Sequence, residues 1–254
     1  SIPFITPDDA NAPNVVARIR ALAPQFFFSF YYRKMLGADL LGIPTRGALN
    51  MHGSLLPKYR GRVPVNWAVL HGERETGASL HYMEMKPDAG NLVAQTAVPI
   101  LGDDTAFEVF QKVTVAAELT LARALPQLIA GTAPSVPLNL KAGSYFSGRK
   151  PEDGRIDWTR TAAEVNNLVR AVAPPYPGAF ADLGSKRIIV AKARVAAAEA
   201  MSSVPVAGQI ARTSNGSLGF VCGDGKLLIP LRLIVEDKTL DASASQTWLA
   251  TVKQ

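Results

Sequence analysis

The 254-residue sequence holds a single cysteine, Cys222, so no intrachain disulfide can form. That excludes a disulfide-stapled secreted scaffold and leads us to expect a reducing, cytoplasmic setting. There are only three histidines, and no His, Cys and Asp cluster has metal-ligand spacing, so no catalytic metal is expected. No unbroken run of ~20 apolar residues occurs, so no membrane insertion is expected. The longest apolar-aromatic block, "FFFSFYY" at 26–32, is too short to span. The opening "SIPFITPDDA" lacks a basic segment followed by an apolar stretch, so we expect no signal peptide. Also missing are a G-x-S-x-G nucleophile elbow, a phosphate loop, internal repeats and low-complexity tracts. No block of one charge stands out. The formal charge is +6, from 27 Lys and Arg against 21 Asp and Glu. Residues 1–150 hold 15 basic and 11 acidic side chains, and residues 151–254 hold 12 and 10. With neither part strongly basic, a nucleic-acid partner is not expected.

What is present suffices for a packed core: 48% of the residues are hydrophobic. "DDANAPNVVARIRALAP" reads as a helix begun by Asp9 or Asn14, with Val15, Ile19 and Leu22 at helical spacing. "QFFFSFYY" reads as a buried strand, "ADLLGIPTRG" as a short helix and turn, and "GALNMHG" as a second strand. Strand, helix and strand in such close succession predict a βαβ unit and a parallel sheet. "ASLHYMEM" and "NLVAQTAVPI" are further strands, and residues 105–131 form a long amphipathic helix ending at Gly131. The Pro-, Gly- and Ser-containing stretch 132–154 then looks like a linker. Beyond it lie one helix, "TRTAAEVNNLVRAVAP", and short apolar runs between turns, the rhythm of a small β-barrel or sandwich. The expected architecture is therefore α/β followed by a mostly β domain. We place the boundaries at 1–137, a linker at 138–150, and 151–254.

One stretch carries chemistry: "LNMHGSLLPKYRG" at 49–61. Residues i and i+2 of a strand face the same way, so Asn50 and His52 share a face. Gly53 marks the strand end, and ligands of open parallel sheets lie beyond the carboxyl ends of the strands. A His moves protons near neutral pH. An Asn amide is a neutral donor for a developing oxyanion. Asp88, in the Pro- and Gly-bounded "KPDAG", is a candidate to orient the imidazole and raise its pKa. With no Ser or Cys nucleophile, the set points to direct attack by the substrate's own nucleophile. An arbitrary Asn-x-His is more often structural, with Ser54 as a helix cap, the His satisfied by backbone and the Asp in a turn. The surrounding motif decides otherwise.

That motif, N-x-H-x-S-L-L-P-x-x-R-G at Asn50 to Gly61, is followed by Thr76–Gly77 and Asp88-x-Gly90. It resembles the formyltetrahydrofolate-dependent formyltransferases. The resemblance extends to "DGRIDW" (153–158) and "RAVAPPYPGAF" (170–180), so it covers nearly the whole chain. It implies a Rossmann-like catalytic domain followed by an OB-like one, with 10-formyltetrahydrofolate as formyl donor. It also implies a catalytic set of Asn50, His52 and Asp88, in which a primary amine attacks the formyl carbon. The folate would lie along Lys34, Met35 and Leu36, with Arg62 and the segment Glu84, Met85, Lys86, Pro87 and Asp88 around it. Within the family, "RGRVPVNW" (60–67) departs from the R-G-A-A-P-I-Q usual in methionyl-tRNA formyltransferases. Together with "FSFYYR", "GERETG" and "CGDG" it is closer to enzymes that formylate UDP-4-amino-4-deoxy-L-arabinose for lipid A modification. The partner implied is a small nucleotide-sugar, and homo-oligomerisation is left open. Arg149 and Arg170 are candidates for its phosphates. His71 and His81 read as structural, and Tyr31 and Tyr32 as core or cleft wall. Family chains carry a βαβ segment of roughly fifty residues ahead of the position of Ile2, so the resemblance implies such a segment outside these 254 residues.

Overall fold

The computed structural model describes residues 4–196 and 206–252. In chain order the first elements are α1 (Pro13–Ala21), β1 (Phe27–Phe30), α2 (Ala38–Leu41), β2 (Ala48–His52), β3 (Arg60–Gly61) and α3 (Pro64–Leu70). Then come β4 (Glu75–Tyr82), β5 (Leu92–Pro99), α4 (Ala106–Ala130) and β6 (Tyr145–Phe146). The chain divides into two compact units built from alternating segments. The first comprises Ser1–Pro64, Thr76–Val98 and Lys112–Ser147; the second comprises Val65–Glu75, Pro99–Gln111 and Gly148–Gln254.

The first unit is built on a sheet in the order β1-β2-β4-β5. β1 and β2 are parallel, as the βαβ spacing predicts. β4 is not: it runs antiparallel to β2, so the sheet is mixed rather than wholly parallel. The register pairs Leu49 with Tyr82, Asn50 with His81, Met51 with Leu80, and His52 with Ser79. Leu49, Met51 and Leu80 are buried on one face, which leaves Asn50, His52 and His81 together on the other. β1 also differs from expectation. It is half-buried, with Phe30, Tyr31 and Tyr32 exposed, because it lies at the edge of the sheet among the described residues. α1 begins at Pro13 after Ala12, without a side-chain cap. Asp9 instead accepts from the backbone N–H and the side-chain amide of Asn11, both at 3.0 Å.

α4 ends at Gly131 in the left-handed region, as expected. Val109, Val113, Ala116, Thr120, Ala124 and Leu128 form its buried stripe at helical spacing. By length and composition alone this helix could cross a membrane. Glu108, Lys112, Glu118 and Arg123 interrupt its apolar run, so the sequence shows no unbroken stretch there. The stretch read as a linker is partly ordered: β6 pairs in parallel with β3, Arg60 opposite Tyr145 and Gly61 opposite Phe146.

The second unit adds α5 (Ala162–Val172), β7 (Ala179–Leu183), β8 (Lys186–Ala196), β9 (Ile210–Arg212), β10 (Leu218–Val221), β11 (Leu227–Val235), β12 (Lys238–Leu240) and α6 (Ala242–Thr251). Its strands form an antiparallel sheet, β7-β8-β11-β10-β9, with β12 on β11. This is the strand-rich part the short apolar runs predict. α5 is begun by a capping box of Thr161 and Glu164 and buries Val165, Val169 and Val172. Ile188, Phe220, Leu228 and Leu233 are fully buried, and Trp158 stacks on Phe220 at 4.6 Å. Cys222 is buried here, and burial pushes its thiol up to about 12.

Candidate active site

β2 presents Asn50 and His52 on one face, and β4 brings His81 opposite Asn50. Asp88 completes the group from the loop between β4 and β5. Its Oδ1 lies 3.5 Å from His52 Nδ1 and 3.5 Å from His81 Nε2. Its Oδ2 accepts the Gly61 backbone N–H at 2.8 Å. Thus Asn50, His52 and Asp88, singled out from the sequence, do come together. Asn50 is half-buried, while His52 is 5% exposed.

Two glycines make the approach feasible. A Cβ on Gly61 (φ +97°) would sit 2.1 Å from the Phe146 carbonyl oxygen, so β3 and β6 could not pair. A Cβ on Gly90 would sit 2.1 Å from the Tyr82 carbonyl oxygen, so the loop carrying Asp88 could not close against β4. Asp88 itself is left-handed at φ +49°, a conformation Asp tolerates better than most residues.

The loop 53–59 supplies the remaining partner. His52 Nε2 lies 2.8 Å from the Tyr59 carbonyl oxygen, which can only accept, so Nε2 carries the proton and donates. Ser54 is fully buried and its hydroxyl donates to the Lys58 carbonyl at 2.6 Å, while Ser79 donates to the Ser54 carbonyl at 2.5 Å and accepts from Leu56 N–H at 3.1 Å. These bonds fix the loop, and so fix Tyr59 against the imidazole. Ser54 is therefore a loop clamp and not a helix cap.

The electrostatics depart from expectation in one respect. Burial holds the His52 pKa below the ordinary histidine value; the Asp88 charge and the Tyr59 carbonyl push it up but do not prevail. The resting His52 is neutral, with its Nδ1 lone pair on the side of Asp88. For Asp88, burial pushes the pKa up, yet the His81 imidazole, His52 and the Gly61 N–H outweigh it. The carboxyl stays below the usual range and is ionised. A proton taken at Nδ1 would give an imidazolium held between a carboxylate and a carbonyl.

The other candidates are placed as follows. Lys34, Met35 and Leu36 follow β1. Lys34 donates to the Asp8 carbonyl, and the Met35 carbonyl accepts from Asn11 Nδ2 at 3.0 Å. Arg62 is exposed after β3, its backbone N–H donating to Phe146 at 3.0 Å. Glu84, Met85 and Lys86 are exposed and Pro87 is half-buried in the loop that carries Asp88. Arg149 and Arg170 belong to the second unit. Arg149 lies over the Trp67 ring at 4.8 Å and donates to the Asp153 carbonyl at 2.8 Å. Arg170 donates to the carbonyls of Asp104 and Leu101 at 3.0 and 3.3 Å and to Asn167 at 2.6 Å, so its donors are largely committed to the protein. Sequence reasoning missed the Tyr59 carbonyl and set His81 aside. The alternation in "ASLHY" puts Ser79 and His81 on one face, but only the register puts that face beside Asn50. Among the described residues no group of three or more His, Cys, Asp or Glu is set to hold a metal ion.

Residues 4–125 match the model of the formyl transferase family, and residues 149–247 match that of the formyl transferase C-terminal domain. The chain belongs to the formyl transferase family. Solved structures share its fold. HypX from Aquifex aeolicus, in complex with tetrahydrofolic acid, matches with a TM-score of 0.65 and 18% identity over 94% of this chain and 41% of that one. This formyl transferase family chain therefore spans well under half of HypX. An N-formyltransferase from Helicobacter canadensis, in complex with folinic acid and dTDP-3-aminofucose, matches with a TM-score of 0.61 and 22% identity over 80% and 72% of the two chains. A 4-N formyltransferase from Francisella tularensis gives 0.59 and 23% over 66% and 69%.

Proposed function

We propose that this chain transfers a formyl group from 10-formyltetrahydrofolate to the primary amine of a nucleotide-linked amino sugar, with UDP-4-amino-4-deoxy-L-arabinose as the acceptor. Such a product would serve lipid A modification. The observation that carries the reading is the convergence of Asn50, His52 and Asp88 on one sheet face. As the amine attacks the formyl carbon, a half-buried Asn50 N–H stabilises the developing oxyanion. Neutral His52 accepts the amine's proton at Nδ1 and later passes a proton to the leaving nitrogen. Ionised Asp88 stabilises the transient imidazolium, and Tyr59 keeps the ring from rotating.

The residues suit a pterin-bearing donor. Tyr31, Tyr32, Met35 and Met85 offer exposed apolar faces on which a flat ring can rest. Lys34, Arg62 and Lys86 offer cations for the carboxylates of a glutamyl tail, and Leu36, Glu84 and Pro87 shape the same segments. The loaded donor supplies the activated formyl group. The acceptor reading rests on "RGRVPVNW" and on the weak basic balance of residues 151–254, which disfavours tRNA. A dTDP-linked 3-amino sugar is a second reading, favoured by the shared fold with the Helicobacter enzyme.

The test is formyl transfer from 10-formyltetrahydrofolate, with UDP-4-amino-4-deoxy-L-arabinose, a dTDP-3-amino sugar and methionyl initiator tRNA offered in parallel. We expect turnover with the UDP-sugar. Turnover with the dTDP-sugar alone would move the specificity, and turnover with the tRNA alone would overturn the sugar reading.

A further inference from the structure

His81 is a fully buried histidine that the reaction as described does not use, yet its ring lies between two residues that it does use. Nδ1 lies 2.8 Å from the Tyr82 carbonyl oxygen, which can only accept, so the proton of the neutral ring sits on Nδ1. That leaves Nε2 as an acceptor. Nε2 lies 3.3 Å from Asn50 Nδ2. The Asp88 carboxylate is farther, at 3.5 Å, so the Asn50 contact is the shorter of the two at Nε2.

We propose that His81 is the positioning residue that fixes the orientation of the Asn50 amide, so that its NH2 and not its carbonyl faces the reacting carbon. This role rests on Asn50 being the oxyanion donor of the proposed reaction. A side-chain amide has two nearly isosteric ends with opposite polarity. Turned over, Asn50 would set its oxygen against the Nε2 lone pair, acceptor against acceptor. Upright, one N–H donates to His81 and the second is left for the substrate oxygen. A wrongly turned amide would repel the oxyanion instead of stabilising it. The chain of constraint runs from the Tyr82 carbonyl, through the tautomer of His81, to the polarity of Asn50. The cross-strand register makes it short, because Asn50 and His81 are direct neighbours.

The test compares His81→Leu, His81→Gln and His81→Asn, each also in an Asn50→Ala background, with folding checked by circular dichroism. The Gln amide oxygen can reach the place of Nε2, whereas Asn reaches only the place of Nδ1. We expect His81→Leu and His81→Asn to lower kcat by about 10- to 100-fold, with KM for the formyl donor changed little. His81→Gln should recover most of the rate. In the Asn50→Ala background the same changes should cost less than about threefold, since the group through which His81 acts is gone. Equal losses in both backgrounds, or equal losses for Gln and Asn, overturn the proposal. If the Leu variant does not fold, the contrast between Gln and Asn decides alone. Wild-type kcat in Asn50→Ala itself would sink the oxyanion reading, and this proposal with it; a large loss there without any effect at His81 would sink only this one.

Discussion

In the proposed reaction Asn50 and His52 divide the chemistry between a donor and a base, and each half is separately measurable. Asn50→Ala should lower kcat by about 100- to 1000-fold with little change in KM, measured by steady-state formyl transfer. His52→Ala should cost about 100- to 10,000-fold. Because burial holds the His52 pKa below its ordinary value of about 6.5, the acid limb of kcat/KM should lie below that pH, and the rate should be level above it. The same shift sets the sign of a stability effect. Between the folded and unfolded pKa values of His52 the unfolded chain binds the extra proton, so stability is complete above about 6.5 and falls as pH drops through that window. Asp88, lowered on folding, contributes stability present above about 3.9 and lost on further acidification. Urea midpoints between about pH 7 and 5 should fall for the wild type and fall less for His52→Gln. Much of this group was legible in the sequence, because a two-residue strand period and a long ordered motif both write Asn50, His52 and Asp88 directly. The Tyr59 carbonyl was not legible, since a backbone acceptor has no residue code. The downward shift of His52 depends on how deeply the ring is buried, which no motif states.

Strands, turns and caps hold that group in place, and single substitutions there should register at a distance. Gly61→Ala puts a methyl against the Phe146 carbonyl and strains a φ of +97°, so it should destabilise by about 1–3 kcal/mol. It should also lower kcat, because the Gly61 N–H anchors Asp88; thermal melts and turnover report the two effects together. Thr161→Ala removes the α5 capping bond and should cost about 1 kcal/mol without touching turnover. The elements with strong periodicity, α4 and α5 among them, were plain from the sequence. Two features stayed hidden because local pattern cannot report neighbours. "FFFSFYY" looks like a central strand until the pairing puts β1 at an edge. The direction of β4 is set by its pairing with β2, not by its own residues. α6, rich in Ser, Ala and Thr, has too weak an apolar stripe to announce itself, although Asp241 caps it through the Ala244 N–H at 2.9 Å.

Taken as a molecule, the chain keeps its modest positive charge in the first unit, with 12 basic and 6 acidic side chains against 15 and 15 in the second, and confines its largest fully buried aromatic, Phe220, to the strand-rich one. Phe220→Ala should remove about 3–5 kcal/mol, a large share of the roughly 5–15 kcal/mol available to a folded protein, and calorimetry should show the loss. The lone cysteine carries a practical consequence. Cys222 is buried and its thiol is held at about 12, so at neutral pH it presents almost no thiolate to a reagent. A maleimide or spin-label thiosulfonate should leave the native protein unlabelled, while the same protein given one new cysteine at exposed Met85 should take up one label per chain. The molecule thus offers a silent background for fluorescence or paramagnetic probes, and the loop that carries Asp88 can be followed without first deleting any thiol.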